Sequence, residues 1–251
     1  MDFQNKVIVI TGAGSGIGST TAKKFGQLGA KVIVSDLDMD KATLTAEAII
    51  DKGGTAKALE ADITKNNEVA ELIYGAVEQY SGIDILVNSA GIINSGLLKT
   101  AEHSIKDWDK IIAVNQSGTF YAMKYALQQM SKQGHGNIVN VASLAGIKAS
   151  KYNLAYTASK FAVVGMTKSA ALEYAHKNIR INCVCPSYTK SPMLDTVVAE
   201  NKDIGEKLLS HIPMGRFAKT SEIAEAILWL ASDKTEYITG QSITLDGGIS
   251  L

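Results

Sequence analysis

The sequence predicts an α/β fold in which a seven-stranded, doubly wound parallel sheet carries helices on both faces. Short apolar runs without polar alternation, such as residues 7–10, are typical of strands buried on both faces. These runs alternate along the chain with segments whose apolar residues recur at helical spacing. The 251 residues, 46% of them hydrophobic, suffice for a large core. We therefore expect one domain over residues 1–251.

The predicted elements alternate over most of the chain. Strands are expected at residues 6–11, 31–35, 55–60, 83–87, 137–142, 179–185 and 241–245. After a first helix that opens within residues 12–18, helices are expected at residues 39–51, 66–80, 101–131, 155–175 and 221–231.

Charge and composition exclude several classes of partner. With 25 basic and 25 acidic side chains, the formal net charge is zero and gives no reason to expect nucleic acid or a membrane surface. No signal-like leader or apolar window of about 20 residues is visible. Cys183 and Cys185 share one face of a predicted strand, which suits buried thiols better than a disulfide. The scattered histidines match no metal-ligand spacing, so we expect a cytoplasmic protein without a metal.

A glycine-rich turn, TGAGSGIG over residues 11–18, directly follows the first predicted strand. Glycines let backbone approach a pyrophosphate, and a helix N-terminus supplies N–H groups and a positive dipole end. The spacing Gly12-x-x-x-Gly16-x-Gly18 departs from GxGxxG, and a plain chain reversal is the alternative. The turn predicts a dinucleotide phosphate site that includes Ser15 and Ile17.

Asp36 ends the second predicted strand. A carboxylate there accepts hydrogen bonds from both adenosine ribose hydroxyls and repels a 2′-phosphate. No arginine follows it, since the next residues are Leu37, Asp38 and Met39. The alternative role is that of N-cap for the helix predicted over residues 39–51. We expect Asp36 to favour NAD(H).

Two asparagines stand out beside or within apolar elements. Asn88 follows the fourth predicted strand, and the small residues after it, including Ala90 and Gly91, leave room for a flat ring or a ribose. A simple turn is the alternative there. Asn115 lies in an apolar stripe of the helix predicted over residues 101–131. A buried asparagine must be hydrogen bonded, so a helix–helix contact is the structural alternative to a functional role.

Tyr156 and Lys160 are four residues apart in a predicted helix. This spacing places two side chains on one helical face, roughly 6 Å apart along the axis. An ammonium beside a phenol lowers the phenol pKa from about 10, which allows proton exchange with an alcohol oxygen. Ser143 follows the strand predicted over residues 137–142 and can donate a hydrogen bond to a carbonyl. An ordinary helix with a surface tyrosine and lysine is the alternative.

Residues 186–220 break the alternation of strand and helix. They contain all three prolines of the chain and only short helical patterns. Such a departure is typical of a lid or a substrate loop. In a doubly wound sheet the ligand lies at the carboxyl ends of the strands, where Asp36, Asn88 and Ser143 all fall.

Together these motifs resemble the short-chain dehydrogenase/reductase family, in its branch of about 250 residues. The glycine turn looks like its TGxxxGIG, and residues 88–91 look like its NNAG, with Ser89 where asparagine is usual. Tyr156-x-x-x-Lys160, Ser143 and Asn115 look like its catalytic set. The resemblance covers nearly the whole chain, implies a single Rossmann-type domain, and extends to the adenine-side pair Asp62-Ile63 and to residues 180–182, 214–216 and 246–248.

The resemblance implies a role for each member of this set. Tyr156 would be the general acid/base, and Ser143 would bind the substrate oxygen. Lys160 would lower the pKa of Tyr156 and hold the nicotinamide ribose. Asn115 would position a water that relays the proton to solvent. The implied reaction transfers hydride between nicotinamide and a ketone or secondary alcohol.

Further positions follow from the resemblance. Thr189 and Ser191 would meet the nicotinamide side of the cofactor. Ser187 stands where the family usually has glycine, and because serine tolerates positive φ poorly we expect an altered backbone there. The substrate pocket would be mainly apolar, which favours a neutral, medium-sized substrate, and would include Ile93, Leu97, Ala145, Asn153, Tyr188 and Met193.

The sequence therefore predicts an NAD(H)-dependent carbonyl reductase or alcohol dehydrogenase. One alternative is an NADPH-dependent 3-oxoacyl thioester reductase, against which Asp36 and the missing arginines argue. Another is a non-catalytic nucleotide-sensing protein, which need not keep all four residues of the catalytic set. The family usually assembles as homotetramers, and the helices predicted over residues 101–131 and 155–175 carry surplus apolar positions. We expect a homotetramer.

Overall fold

The computed structural model describes residues 1–94, 96, 98–199 and 202–251. The strands are β1 (Val7–Thr11), β2 (Lys31–Asp36), β3 (Thr55–Glu60), β4 (Ile85–Asn88), β5 (Gly136–Val141), β6 (Ile179–Pro186), β7 (Thr189–Lys190), β8 (Ala218–Lys219) and β9 (Ser242–Leu245). The helices are α1 (Gly16–Gln27), α2 (Met39–Ile50), α3 (Asn66–Tyr80), α4 (Ile105–Ile111), α5 (Thr119–Gln133), α6 (Leu154–Tyr174), α7 (Pro192–Ala199), α8 (Lys202–Ser210) and α9 (Thr220–Ala231).

Seven strands form one parallel sheet in the order β3-β2-β1-β4-β5-β6-β9, which confirms the predicted doubly wound architecture. One apolar cluster packs on the face that carries Phe25 of α1 and Ile227 of α9. A second cluster packs on the other face, with Ile73 of α3 and Met130 of α5. Burial of both faces explains why the strands lack polar alternation.

The long helix predicted over residues 101–131 is wrong at its start and in its continuity. The backbone of His103 is extended, and α4 begins only after Ser104, whose Oγ accepts a hydrogen bond from the N–H of Asp107 at 3.0 Å. This N-cap starts the helix later than its apolar spacing suggests. A π-helical segment, Ile112–Gly118, then separates α4 from α5.

The segment between β6 and α9 is closed at its base by a small ribbon. Strands β7 and β8 pair in parallel, and the N–H of Ala218 donates to the carbonyl of Tyr188 at 3.0 Å. Near the end of the segment, the N–H of Met214 donates to the carbonyl of Gly247 at 3.1 Å. The predicted departure over residues 186–220 therefore contains α7 and α8 above a fixed base.

Two further predictions have structural outcomes. Cys183 and Cys185 are free and buried, as predicted. Among the described residues, no helix is long and apolar enough to cross a membrane.

Candidate active site

The carboxyl ends of β1, β4, β5 and β6 gather the predicted site residues at one edge of the sheet. Ser143 follows β5 and caps a short 3₁₀ turn, where its Oγ accepts a hydrogen bond from the N–H of Ala145 at 3.1 Å. Tyr156 and Lys160 project from the first two turns of α6, and both side chains are buried. Parallel β–α connections bring these distant residues together, as expected for this class of sheet.

Lys160 lies close to both the sheet and Tyr156. Its Nζ donates a hydrogen bond to the carbonyl of Val141 at 2.9 Å and lies 5.6 Å from the centroid of the Tyr156 ring. The hydroxyl of Ser143 interacts with the phenol from the other element. The surface Tyr–Lys alternative is thereby excluded, because both side chains face the interior.

The π-helical segment presents Asn115 to the loop that follows β4. Its Oδ1 accepts from the N–H of Ile92 at 2.8 Å, and its Nδ2 donates to the carbonyl of Ile92 at 2.9 Å and to Oγ of Ser159 at 3.0 Å. A Cβ on Gly91 would lie 3.3 Å from Asn115 Oδ1 and 3.4 Å from Lys160 Nζ. Asn115 therefore joins the β4 loop to α6, and it lies near Lys160.

Burial is the largest influence on the pKa values of Lys160 and Tyr156. Desolvation lowers the pKa of Lys160 to about 8, although Cys185 and Cys183 act in the opposite direction. Desolvation also raises the pKa of Tyr156, and the Ser143 hydroxyl opposes that rise. The expectation that the Tyr156 pKa is lowered is therefore wrong. The desolvation of a buried phenolate outweighs the stabilisation that neighbouring groups of the protein provide.

The glycine turn is shaped for close backbone approach. Gly12 has φ of +63°, and a Cβ there would lie 2.5 Å from Cα of Ala90. Ser15 is the N-cap residue of α1 but makes no side-chain capping bond, and the first turn of α1 carries no acidic residue. The N–H groups of that first turn can therefore bind phosphate, together with the backbone of Gly16, Ile17 and Gly18.

Asp36 lies beside this turn with both carboxylate oxygens held by backbone. Oδ2 accepts from the N–H of Gly14 at 2.9 Å, and Oδ1 accepts from the N–H of Asp38 at 3.1 Å. The N-cap of α2 is Asp38, which accepts from the N–H of Lys41 at 3.1 Å. The capping alternative for Asp36 is therefore wrong, and its carboxylate is fixed beside the glycine turn.

The remaining predicted cofactor residues occupy the same edge. Nδ2 of Asn88 donates to Oδ1 of Asn140 at 2.8 Å, whereas Oδ1 of Asn88 is buried without a partner among the described residues. The Asp62 carboxylate accepts from the N–H and hydroxyl of Thr64 at 3.0 and 2.7 Å. Although burial raises the pKa of Asp62, these bonds and Lys65 lower it overall. Ile63 is nearly buried beside Gly118.

The residues that follow β6 lie close to the glycine turn. The backbone of Ser187 does not adopt positive φ, and its N–H donates to the carbonyl of Leu245 at 3.0 Å. Serine thus fits this position without backbone strain. Oγ of Ser191 donates to the carbonyl of Thr189 at 3.1 Å, and a Cβ on Gly16 would lie 3.7 Å from Cβ of Ser191. Thr189 and Ser191 therefore lie near the glycine turn.

These features fit a dinucleotide. The open first turn of α1, the glycine cradle against Ala90, the fixed carboxylate of Asp36 and the unpaired Oδ1 of Asn88 form one continuous edge. They match a ligand with phosphates and ribose hydroxyls.

The predicted pocket residues are less clustered. Asn153 lines a cleft of about 330 Å³ formed by residues 98–100 and 150–154, and Ala145 is buried beside Ser143. Tyr188 packs edge-on against Phe217, with ring centroids 6.5 Å apart. Ile93 and Met193 are half-buried but do not line this cleft, and Leu97 lies outside the described residues.

The structure adds three residues that sequence reasoning missed. Ser159 links Asn115 to α6, since its Oγ also donates to the carbonyl of Tyr156 at 2.7 Å. Asn140 continues the Asn88 contact by donating to Oγ1 of Thr167 at 2.9 Å. Lys41 lies near Asp36, with its Nζ 2.7 Å from the Asp38 carboxylate. A polar Asn140 within an apolar strand is the one signal of this kind visible in the sequence.

The doubly wound sheet, the glycine turn and the carboxylate at the end of β2 define a Rossmann-type dinucleotide-binding protein. Residues 12–250 match the family model described as enoyl-(acyl carrier protein) reductase. The chain belongs to the short-chain dehydrogenase/reductase family and is an oxidoreductase of the kind that uses a nicotinamide cofactor.

Three curated relatives are similar over nearly their whole length. An uncharacterized oxidoreductase of Thermotoga maritima is 43% identical, covering 99% of this chain and 98% of the relative. The 3-oxoacyl-[acyl-carrier-protein] reductase FabG of Thermotoga maritima is 40% identical, with 99% of both chains covered. The cyclohexanol dehydrogenase of Acinetobacter sp. strain SE19 is 38% identical, with 98% and 95% covered.

A solved structure supports the same assignment. The 3-ketoacyl-(acyl-carrier-protein) reductase from Brucella melitensis, complexed with NADH, superposes with a TM-score of 0.92 at 33% identity, and both chains are covered completely.

Proposed function

We propose that this protein is an NAD(H)-dependent carbonyl reductase or alcohol dehydrogenase that acts on a neutral ketone or secondary alcohol. The observation that carries the proposal is the buried arrangement of Ser143, Tyr156 and Lys160 at the sheet edge that also holds the fixed carboxylate of Asp36. A nicotinamide bound along this edge supplies hydride in reduction and accepts it in oxidation.

In the proposed mechanism, the Ser143 hydroxyl holds the substrate oxygen beside Tyr156. Tyr156 protonates this oxygen in reduction and takes the proton back in oxidation. Because burial raises the pKa of Tyr156, the phenol stays protonated at neutral pH, which is the form that reduction needs. The Lys160 ammonium, 5.6 Å from the ring centroid, offsets the negative charge that develops on the phenol.

Asn115 has a positioning role in this proposal. Its amide is bonded on both sides to the backbone of Ile92, so the loop after β4 is held close to Lys160. The carbonyl of Ile92 and the ammonium of Lys160 then hold a water that returns the proton from solvent to Tyr156.

The proposed preference for NAD(H) rests on Asp36 and its surroundings. Its carboxylate accepts ribose hydroxyls and repels a 2′-phosphate. Lys41 lies near Asp36, but its Nζ is 2.7 Å from the Asp38 carboxylate, which compensates its charge. The phosphate of NADP(H) would therefore meet two carboxylates and one neutralised lysine.

The substrate class is proposed from the cleft and from one relative. The cleft is lined by residues 98–100 and 150–154, and at about 330 Å³ it suits a small ring. A cyclohexanol dehydrogenase among the relatives supports an alicyclic alcohol or ketone. The FabG relative and the family model favour the alternative, a 3-oxoacyl thioester reductase.

One set of assays separates these possibilities. Values of kcat/KM are measured for cyclohexanone and for a 3-oxoacyl thioester, each with NADH and with NADPH. Preferential reduction of cyclohexanone with NADH supports the proposal. Activity confined to the thioester with NADPH establishes the alternative. Tight NADH binding without turnover of either substrate indicates a nucleotide-sensing protein.

We also propose a homotetramer in the cytoplasm, assembled through α5 and α6. The outer faces of these helices leave Phe120 48%, Phe161 45% and Leu172 85% exposed, which a second copy would cover. Leu251 is fully exposed and does not pack against the core of its own chain. Sedimentation at micromolar concentration tests this assembly, and a monomeric mass overturns it.

A further inference from the structure

Gly14 lies in the middle of the glycine turn but does not share the backbone conformation of its neighbours. Gly12 and Gly16 have φ of +63° and +55°, which residues with a side chain rarely adopt. The φ of Gly14 is not in this positive range, so its backbone conformation is open to other residues. The requirement for glycine at position 14 therefore comes from the groups around it.

Two side chains on the adenosine side of the site crowd position 14. A Cβ on Gly14 would lie 2.9 Å from both Cγ and Oδ2 of Asp36, and 2.8 Å from Cβ of Lys41. Carbon atoms in favourable contact are about 3.5–4.0 Å apart. Alanine would therefore fit only if the Asp36 carboxylate moved away, or if the first turn of α2, which carries Lys41, moved with it.

The missing side chain lets the Asp36 carboxylate lie against the backbone. Its Oδ2 accepts from the N–H of Gly14 at 2.9 Å, and its Oδ1 accepts from the N–H of Asp38 at 3.1 Å. One backbone donor on each oxygen fixes both the position and the rotation of the carboxylate. Each oxygen has two lone pairs, so both can still accept a hydrogen bond from a ribose hydroxyl.

The same contact affects the start of α2. Asp38 is the N-cap residue of this helix, and its carboxylate lies 2.7 Å from Nζ of Lys41. A shift of this turn would therefore move the backbone donor to Asp36 Oδ1 together with the lysine. Position 14 thus controls the surroundings of Asp36 as well as its carboxylate.

We propose that Gly14 is a positioning residue that sets the cofactor preference by leaving room for the Asp36 carboxylate. This inference rests on the preference for NAD(H) proposed above. A side chain at position 14 would displace the carboxylate from the ribose hydroxyls, which weakens NADH binding. The displaced carboxylate would also repel a 2′-phosphate less, which favours NADPH. Gly14 therefore acts on the two cofactors in opposite directions, through Asp36.

Fluorescence titration with NADH and with NADPH tests this role, because binding requires no substrate. The wild-type protein is expected to bind NADH at least about tenfold more tightly than NADPH. In Gly14→Ala, the Kd for NADH should rise about tenfold, the Kd for NADPH should not rise, and the ratio should fall to within about threefold. Gly75→Ala in α3 is the matched control, since its Cβ would meet only Leu59 Cδ1, at 3.9 Å.

A double-mutant cycle separates the positioning of Asp36 from a general distortion of the turn. In an Asp36→Ala background, Gly14→Ala should change the Kd for NADH by less than about twofold, because no carboxylate remains to be displaced. An equal loss of NADH affinity in both backgrounds overturns the inference. Equal weakening of NADH and NADPH in the single variant also overturns it.

Asp36→Asn provides a second test if Gly14→Ala does not fold, since it leaves Gly14 in place. The amide nitrogen of asparagine cannot accept a hydrogen bond, so one of the two backbone donors would lose its partner. The NADH affinity of Asp36→Asn should therefore lie within about twofold of that of Asp36→Ala. An affinity close to that of the wild-type protein would overturn the role of the fixed carboxylate.

Failure of the proposed function gives a different pattern. If the wild-type protein binds NADPH as tightly as NADH, the proposed preference is lost. The inference still stands in that case when the loss of NADH affinity in Gly14→Ala requires Asp36. A preference for NADH without this dependence on Asp36 keeps the proposed function and overturns the inference.

Discussion

Two regions of the molecule differ in how their buried polar atoms are paired. On the reaction side, Asn115, Ser159 and Lys160 form hydrogen bonds to backbone or to each other within the protein. In the chain between β4 and α4, Asn94 and His103 have buried polar atoms without partners among the described residues. The first group is held in place by bonds within the protein, whereas the second retains unused hydrogen-bonding capacity.

The largest effect is expected when the proposed proton donor alone is removed. Tyr156→Phe should lower kcat by roughly 10²–10⁴-fold or more while leaving cofactor affinity nearly intact, because only the transferable proton is lost. Steady-state kinetics and fluorescence titration with NADH measure the two effects. Turnover above a tenth of the wild-type rate would contradict the catalytic role. Tyr174→Phe, at the far end of α6, is the matched control.

The buried ammonium of Lys160 should lower the free energy of unfolding at neutral pH. The pKa of Lys160 is lowered from 10.5 to about 8, so at neutral pH the folded protein buries a charge that the unfolded chain hydrates. The difference, 10.5 − 8 = 2.5, corresponds to about 3 kcal/mol. Lys160→Met should therefore raise the free energy of unfolding at pH 7 by up to about 3 kcal/mol while abolishing activity.

The size of this effect depends on pH. As pH rises from 8 toward 10.5, the native lysine is already neutral and the penalty disappears, so the gain of the variant should vanish. Denaturant unfolding at pH 7 and at pH 10 measures this. Lys168→Met, an exposed position on the same helix, is the control. A destabilised Lys160→Met protein at pH 7 would show that the hydrogen bond to Val141 outweighs desolvation.

Cofactor preference tests the proposed contact between Asp36 and the adenosine ribose. We expect kcat/KM for NADH to exceed that for NADPH by about 30- to 150-fold, from lost ribose bonds and repulsion by Asp36. Asp36→Ala with Leu37→Arg should move the preference toward NADPH. Asp38→Ala alone, which releases Lys41, should increase NADPH use only a few-fold. Equal values for the wild-type enzyme would contradict the role of Asp36.

The smallest effect concerns the pH profile of ketone reduction. Reduction requires a protonated Tyr156, which its raised pKa ensures, and a charged Lys160, which loses its proton near pH 8. We expect kcat/KM to be level below pH 8 and to fall about tenfold per pH unit above it. An NMR titration of labelled lysines should show one resonance whose chemical shift changes with a midpoint near pH 8, and this resonance should be absent in Lys160→Met. A flat profile to pH 9.5 would contradict this.

The parts of the molecule that repeat a backbone pattern were predictable from the sequence. Apolar strands, the glycine turn and Asp36 follow from local rules, and the structure contains them as expected. The π-helical segment around Asn115 was not predictable, because it depends on a hydrogen bond to Ile92 from a distant loop. The pKa of Tyr156 was predicted in the wrong direction, since the Tyr–Lys spacing reveals proximity but not the depth of burial.

The ribbon of β7 and β8 has a consequence for how this fold changes over evolutionary time. Thr189, shortly after β6, pairs with Ala218, directly before α9, so the helices between them form a closed cassette with a common entrance and exit. Because the ends are already joined, each doubling of the length between them costs only about 0.6 kcal/mol of chain entropy. Insertions, deletions or grafts within this cassette can therefore be accommodated while the seven-stranded sheet remains unaltered.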